Sequence, residues 1–134
     1  MAAALRTQEG ADGFWSAATL STVALSVAAG EARAAAKRAP ADVNGARQRI
    51  IALCGELGAL SGDANGKLVG AIAASLGEFA RDAFLDEPAL EVIAGHLEAL
   101  RAVVRHAIAG DGGTVGRAIM AGLEASVTRH APAA

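Results

Sequence analysis

The sequence has few of the residues that cross-link a chain or fill a large aromatic core. Its 134 residues include one cysteine, three prolines, three phenylalanines, one tryptophan and no tyrosine. A single cysteine excludes an internal disulfide and a paired-thiolate metal site. Because Leu53 and Leu57 flank Cys54 closely, we expect a buried, inert thiol there; a reactive thiol is the alternative.

Neither sign of charge dominates the chain. It has 12 basic and 14 acidic residues and a net charge of −2, which argues against the broad basic surface that nucleic-acid binding requires. Residues 13–30 carry no charge, but serines and threonines interrupt the stretch, and Glu9 and Asp12 precede it instead of basic residues. We interpret it as a helix of a cytoplasmic protein without a membrane partner; a secretory signal is the alternative.

Alanine is abundant, with 36 residues, whereas Leu, Ile, Val and Phe together number 31. Alanine is the best helix former but adds little buried area, so we expect helices packed closely around a thin core. Apolar residues recur three and four apart between turn signals near Pro40 and at 61–66, 85–88 and 110–114, which is the helical period. The chain is predicted to be all-α.

Five helices are expected from these signals, with short turns that make neighbours antiparallel. Their predicted bounds are about 12–39, 42–60, 64–84, from near Asp86 onward, and from Thr114 as N-cap to about 129. The sequence therefore predicts an antiparallel four-helix bundle with an additional helix. This bundle is predicted to be a single domain over residues 12–130, and the termini, 1–11 and 131–134, are predicted to be flexible.

The first helix is apolar on two sides when its residues are projected at 100° each. One side carries Phe14, Ala18, Ser21, Leu25, Ala28 and Ala32. The other carries Leu20, Val23 and Val27. A helix of this kind is either central to a bundle or exposes a face to a second chain, so a structural homodimer built on this helix is one hypothesis.

The spacing of the candidate residues does not match any catalytic or metal-binding motif considered for this sequence. The residues three before His96, His106 and His130 are not glutamates, so the helical Glu-x-x-His pairs of di-metal bundles are missing. Only three residues separate Gly62 from Gly66, where a phosphate-binding Walker loop needs four. We therefore predict a protein that is not an enzyme and has no metal site and no cofactor.

His96 lies in the fourth helix on the border of its apolar stripe. The residues predicted to form a partner-binding surface around it are Val92, Gly95, His96, Ala99 and Val103. Cations near the first turn could add an electrostatic rim, namely Arg33, Lys37, Arg38, Arg47 and Arg49. The function predicted first is a protein-interaction module, a signalling or regulatory adaptor that binds another protein.

A histidine on a helix of a four-helix bundle also resembles the histidine-phosphotransfer domains. The resemblance covers the fold and this one histidine, and it implies that His96 would be the phosphoacceptor. That family typically places a lysine three positions after its histidine and then a glycine, whereas Ala99 and Leu100 stand here. A phosphoryl carrier is therefore the alternative function, and the helix-1 homodimer is the second alternative.

Overall fold

Five α-helices make up the computed structural model, which describes residues 2–38, 40–60, 62 and 65–130, with side chains from residue 12 onward except that of residue 40. The helices are α1 (Ala2–Arg38), α2 (Val43–Leu60), α3 (Lys67–Asp82), α4 (Glu87–Arg105) and α5 (Gly113–His130). A 3-10 turn, Pro40–Asp42, joins α1 to α2. The protein is 88% helical, and no strand occurs in the described residues.

The first four helices form an antiparallel bundle in which each packs on its neighbours in the chain. The ring closes because α1 also packs against α4, while α5 lies outside it against α3 and α4. The predicted all-α class and the four-helix bundle with one additional helix are confirmed. Short connections between long helices produce this arrangement.

Two predicted helix starts are wrong. The backbone of α1 is helical from Ala2 and not from Asp12, because alanine, leucine and arginine precede Asp12 and all favour helix. Helix α5 begins at Gly113, so Thr114 lies inside it and is not its N-cap. Instead the carboxylate of Asp111 accepts a hydrogen bond from the Gly113 N–H at 2.9 Å.

The start of α4 follows the ordinary chemistry of an N-terminus. Asp86 has extended backbone as N-cap, and its carboxylate accepts a hydrogen bond from the Ala89 N–H at 3.0 Å. Pro88 lies in the first turn, where its missing N–H costs nothing. This cap fixes where the turn after α3 ends and α4 begins.

The core runs along the centre of the bundle and uses the predicted face of α1. Phe14, Ala18 and Leu25 are buried, as are Ala28 and Ala32 farther along the helix, whereas Ser21 is half-buried. All of these lie on one side of a helix with 3.6 residues per turn. One face of α1 is therefore used to build the bundle.

Small residues set the spacing between α2 and α3. A Cβ added at Gly77 would lie 3.3 Å from the Cβ of Cys54, a distance at which either neighbour would have to shift. Cys54 is buried, and its burial raises the pKa of the thiol to about 12. The thiol is thus protonated and part of the core, as its leucine neighbours predicted.

Candidate functional site

His96 lies fully inside the protein. Its exposed fraction is 0%, and both ring nitrogens have partners. Nε2 lies 2.9 Å from the hydroxyl oxygen of Ser75 on α3, and Nδ1 lies 2.9 Å from the backbone oxygen of Val92 on its own helix. The imidazole therefore ties α3 to α4 inside the core.

These contacts determine the protonation state of His96. A carbonyl oxygen only accepts, so Nδ1–H donates to Val92 and Nε2 accepts the hydroxyl proton of Ser75. Burial lowers the pKa of His96, and the hydrogen bond to Val92 opposes this only in part. The ring is neutral at neutral pH, with both of its polar atoms satisfied.

The Ser75–His96 pair has the reach of a nucleophile and its base. Acyl transfer also needs donors for the oxyanion, but Ser75 lies in the middle of α3, where backbone N–H groups are already bonded within the helix. The backbone of α3 around Ser75 therefore supplies no oxyanion donor. A buried ring with both nitrogens engaged is also closed to an incoming phosphoryl group in this conformation.

The partner surface predicted on α4 needs correction. Val92, His96 and Val103 are buried in the core, while Gly95 and Ala99 are only partly exposed. Helix α3 covers this border through Ser75, and α5 also packs on α4. The five residues consequently form no open surface.

The predicted cationic rim is divided among separate contacts. Arg33 pairs with Glu87 and Arg49 with Glu31, while Arg47 donates to the backbone oxygens of Ala80 and Ala83. Those oxygens lie at the end of α3, where the helix itself provides no partner, so Arg47 stabilises a helix end. Lys37 and Arg38 are exposed in the last turn of α1, where cations complement the helix dipole.

An open apolar surface does occur on α1. Leu20 is 73% exposed, Val23 57% and Val27 59%, and we call these three residues the α1 strip. They lie on the side of α1 that faces away from the core. The sequence singled out these residues as the second apolar side of the helix.

A second open surface, which the sequence analysis missed, is a groove between α3 and α5. It has a volume of about 1060 Å³ and ends at the turn that carries Phe84. Phe84 is 80% exposed, whereas Met120 and Val127 of α5 are partly buried along the groove. A phenylalanine at the predicted end of the third helix, directly before the turn signal at 85–88, was the sequence feature that could have indicated it.

The described residues also bear on metal binding and on membrane insertion. No group of three or more His, Cys, Asp or Glu side chains lies close enough to hold a metal ion. Within the same residues, Asp12–Arg38 of α1 is long and apolar enough to cross a membrane, and 28% of its most apolar 18-residue stretch is buried. The core helix of a soluble protein and an N-terminal signal sequence have the same properties.

Comparison of the chain with family models, with curated proteins and with solved structures finds no match.

Proposed function

We propose that this protein is a non-catalytic interaction module that works through helix–helix contact, and that its α1 strip binds a second copy of the chain. The observation that carries the proposal is the exposure of Leu20, Val23 and Val27 side by side on one helix. Single exposed apolar residues are ordinary, but a contiguous stripe of them is typical of an interface.

The spacing of the exposed residues is that of a helix–helix seam. Eight exposed positions of α1 alternate three and four apart, namely Gly13, Ser16, Leu20, Val23, Val27, Gly30, Ala34 and Lys37, while Asp12, Thr19, Glu31 and Arg38 are exposed beside them. This is the repeat of 3.5 residues with which one helix packs along another. The large side chains stand in the middle, and small residues flank them on both sides.

The small residues leave room for a second helix to approach. A Cβ added at Gly13 or at Gly30 would meet nothing within 4 Å, so contacts with the described residues explain neither glycine. Fully burying a Val or Leu side chain contributes about 1.5–3 kcal/mol. Three such residues from each of two chains provide a substantial driving force for association.

The charges of α1 favour a copy of itself as the partner. No charged residue occurs between Asp12 and Glu31, while Lys37 and Arg38 stand in the last turn. An antiparallel pair of α1 helices would bring Asp12 of each chain near Lys37 and Arg38 of the other. Such a contact is self-complementary, as a two-fold interface requires.

Sedimentation equilibrium over a range of protein concentrations tests this proposal. We expect a dimer for the wild type and a monomer for the variant Val23→Glu/Val27→Glu, because two carboxylates would be buried in the seam. Val115 on α5 is exposed to a similar degree, 55%, so Val115→Glu is the matched control and should remain dimeric. A wild type that is monomeric at every concentration, or a control that dissociates equally, would rule the proposal out.

The other functional predictions stay predictions. A signalling or regulatory context and a cytoplasmic location rest on the sequence alone. Phosphotransfer at His96 gains no support from a ring that is fully buried and bonded at both nitrogens.

A further inference from the structure

From its shape and charge, we infer that the groove between α3 and α5 binds a basic amphipathic helix of a partner protein. The inference is independent of the α1 strip, because it rests on other helices and on a different kind of partner. We call the surface the α3–α5 groove, and its apolar lining consists of Ala71, Ala74, Phe79, Ala83, Phe84, Met120 and Val127.

The shape of the groove suits a helix. Its α3 wall extends from Ala71 to Asp82, which is about 17 Å at 1.5 Å per residue, or three helical turns. Alanines at 71 and 74 are exposed, so a partner backbone can approach α3 closely. Amphipathic helices lie in such grooves with apolar anchors at i, i+3, i+4 and i+7.

Two side chains provide adaptable apolar contact. Phe84 stands at one end of the groove with 80% of its surface exposed, the largest exposed fraction among the large apolar residues described. Met120 lies on the α5 wall, and methionine is flexible enough to fit differently shaped partners. Aromatic and methionine side chains are enriched at protein interfaces.

The charge of the groove selects the chemistry of the partner. Four carboxylates line it, those of Glu78, Asp82, Asp86 and Glu124, and no lysine or arginine does. Within the described part of the chain, no ion pair joins Glu78, Asp82 or Glu124 to a cation. An apolar floor with unpaired carboxylates at its edges fits a helix that carries Lys or Arg beside its apolar face.

Asp86 and His130 close one end of the groove by contacts of their own. His130 Nε2 lies 3.4 Å from the Asp86 carboxylate, and its ring packs edge-on against Phe79 with centroids 5.1 Å apart. The backbone N–H of Ala89 holds the pKa of Asp86 below its usual range. The remaining carboxylates, on α3 and α5, are therefore those available to a basic partner.

A designed peptide serves as the probe, since the natural partner is unidentified. A helical peptide of about four turns, with leucines at i, i+3, i+4 and i+7 and lysines beside them, follows the groove-binding pattern. One control peptide has the same composition with the leucines distributed around the helix, and another has glutamate in place of lysine. Fluorescence anisotropy measures the affinity of each for the full chain.

We expect the amphipathic lysine peptide to bind at least about tenfold more tightly than either control, and binding to weaken with added salt. Glu78→Gln/Glu124→Gln should reduce its affinity about tenfold. Glu56→Gln/Glu98→Gln removes the same charge from exposed positions on α2 and α4 outside the groove and should leave the affinity unchanged. Phe84→Ser should also weaken binding of the peptide, and the factor by which the affinity falls should be the same at low and at high salt.

Four outcomes would overturn the inference. Equal binding of all three peptides, or equal loss in the two double variants, would indicate general attraction to an acidic protein. Dissociation of a dimer by Phe84→Ser would assign the groove to a second copy. Binding of the wild type to neutral phosphatidylcholine vesicles, lost in Phe84→Ser, would assign it to a lipid surface. Because a monomeric wild type can still bind the peptide, failure of the α1 proposal is distinguishable from failure here.

Discussion

Helices α1 and α4 both carry apolar residues beyond the stripe that faces the core, but the bundle covers only one of them. On α4 the extra residues, Val92, His96 and Val103, are buried. On α1 the corresponding residues, Leu20, Val23 and Val27, remain more than half exposed. Helix α1 has α2 and α4 beside it, whereas α4 also has α3 and α5 against it. The number of neighbours, and not the composition of the helix, thus decides which surface is open to a partner.

The largest difference between the two helices should appear in stability. Leu100 of α4 is fully buried, so Leu100→Ala should lower the free energy of unfolding by about 2–5 kcal/mol. Leu20→Ala makes the same chemical change on α1 and should cost less than about 0.5 kcal/mol in dilute monomer. Urea denaturation at low protein concentration measures both. Similar costs would mean that Leu20 is buried in solution.

A smaller loss should follow from breaking the contact that holds α4 to α3. Ser75→Ala would leave Nε2 of the buried His96 without a partner, which costs about 1–3 kcal/mol. Thr19 of α1 is the control, since its hydroxyl donates within its own helix to the Trp15 carbonyl oxygen at 2.8 Å. If Thr19→Ala destabilised the protein as much as Ser75→Ala in the same urea titrations, the bond between α3 and α4 would have no special role.

The pH dependence of stability should reveal the sealed state of His96. Burial lowers its pKa, so as the pH falls below ~6.5 the imidazole is protonated in the unfolded chain before it is protonated in the folded chain. The contribution of the neutral His96 to the free energy of unfolding is fully present above the unfolded pKa of ~6.5. It is lost as the pH falls below that value, at up to about 1.4 kcal/mol per pH unit. His96→Gln removes this titration. The difference in unfolding free energy between wild type and variant should therefore shrink from pH 7.5 to 5.5.

His106→Gln is the control for that series. His106 follows the last turn of α4 and is exposed, so the variant keeps the His96 contribution and its loss in acid. A His96→Gln variant whose difference from wild type is the same at every pH would show that the ring is not sealed. An assigned NMR titration of the imidazole gives the same answer independently.

Patterns within one helix were predictable from the sequence, whereas contacts across helices were not. The buried side of α1, from Phe14 to Ala32, follows from the 3.6-residue period, and Asp86 with Pro88 is a recognisable helix start. The burial of His96 depends on Ser75, which is 21 positions away. Arg47 likewise reaches Ala80 and Ala83, more than 30 positions away. Such pairs depend on how helices are set against one another along their axes, which single-helix periodicity does not specify.

The one thiol of the chain gives it a built-in reporter of internal motion. Cys54 is packed against Gly77 at the contact of α2 and α3 and is protonated at ordinary pH, with a pKa of about 12. The thiolate is the nucleophile that attacks an alkylating reagent, so labelling requires an opening that separates these two helices. Because there is no other cysteine, mass increase over time follows that single event. The rate at which α2 and α3 separate can therefore be measured in the unmutated protein, with or without a partner bound.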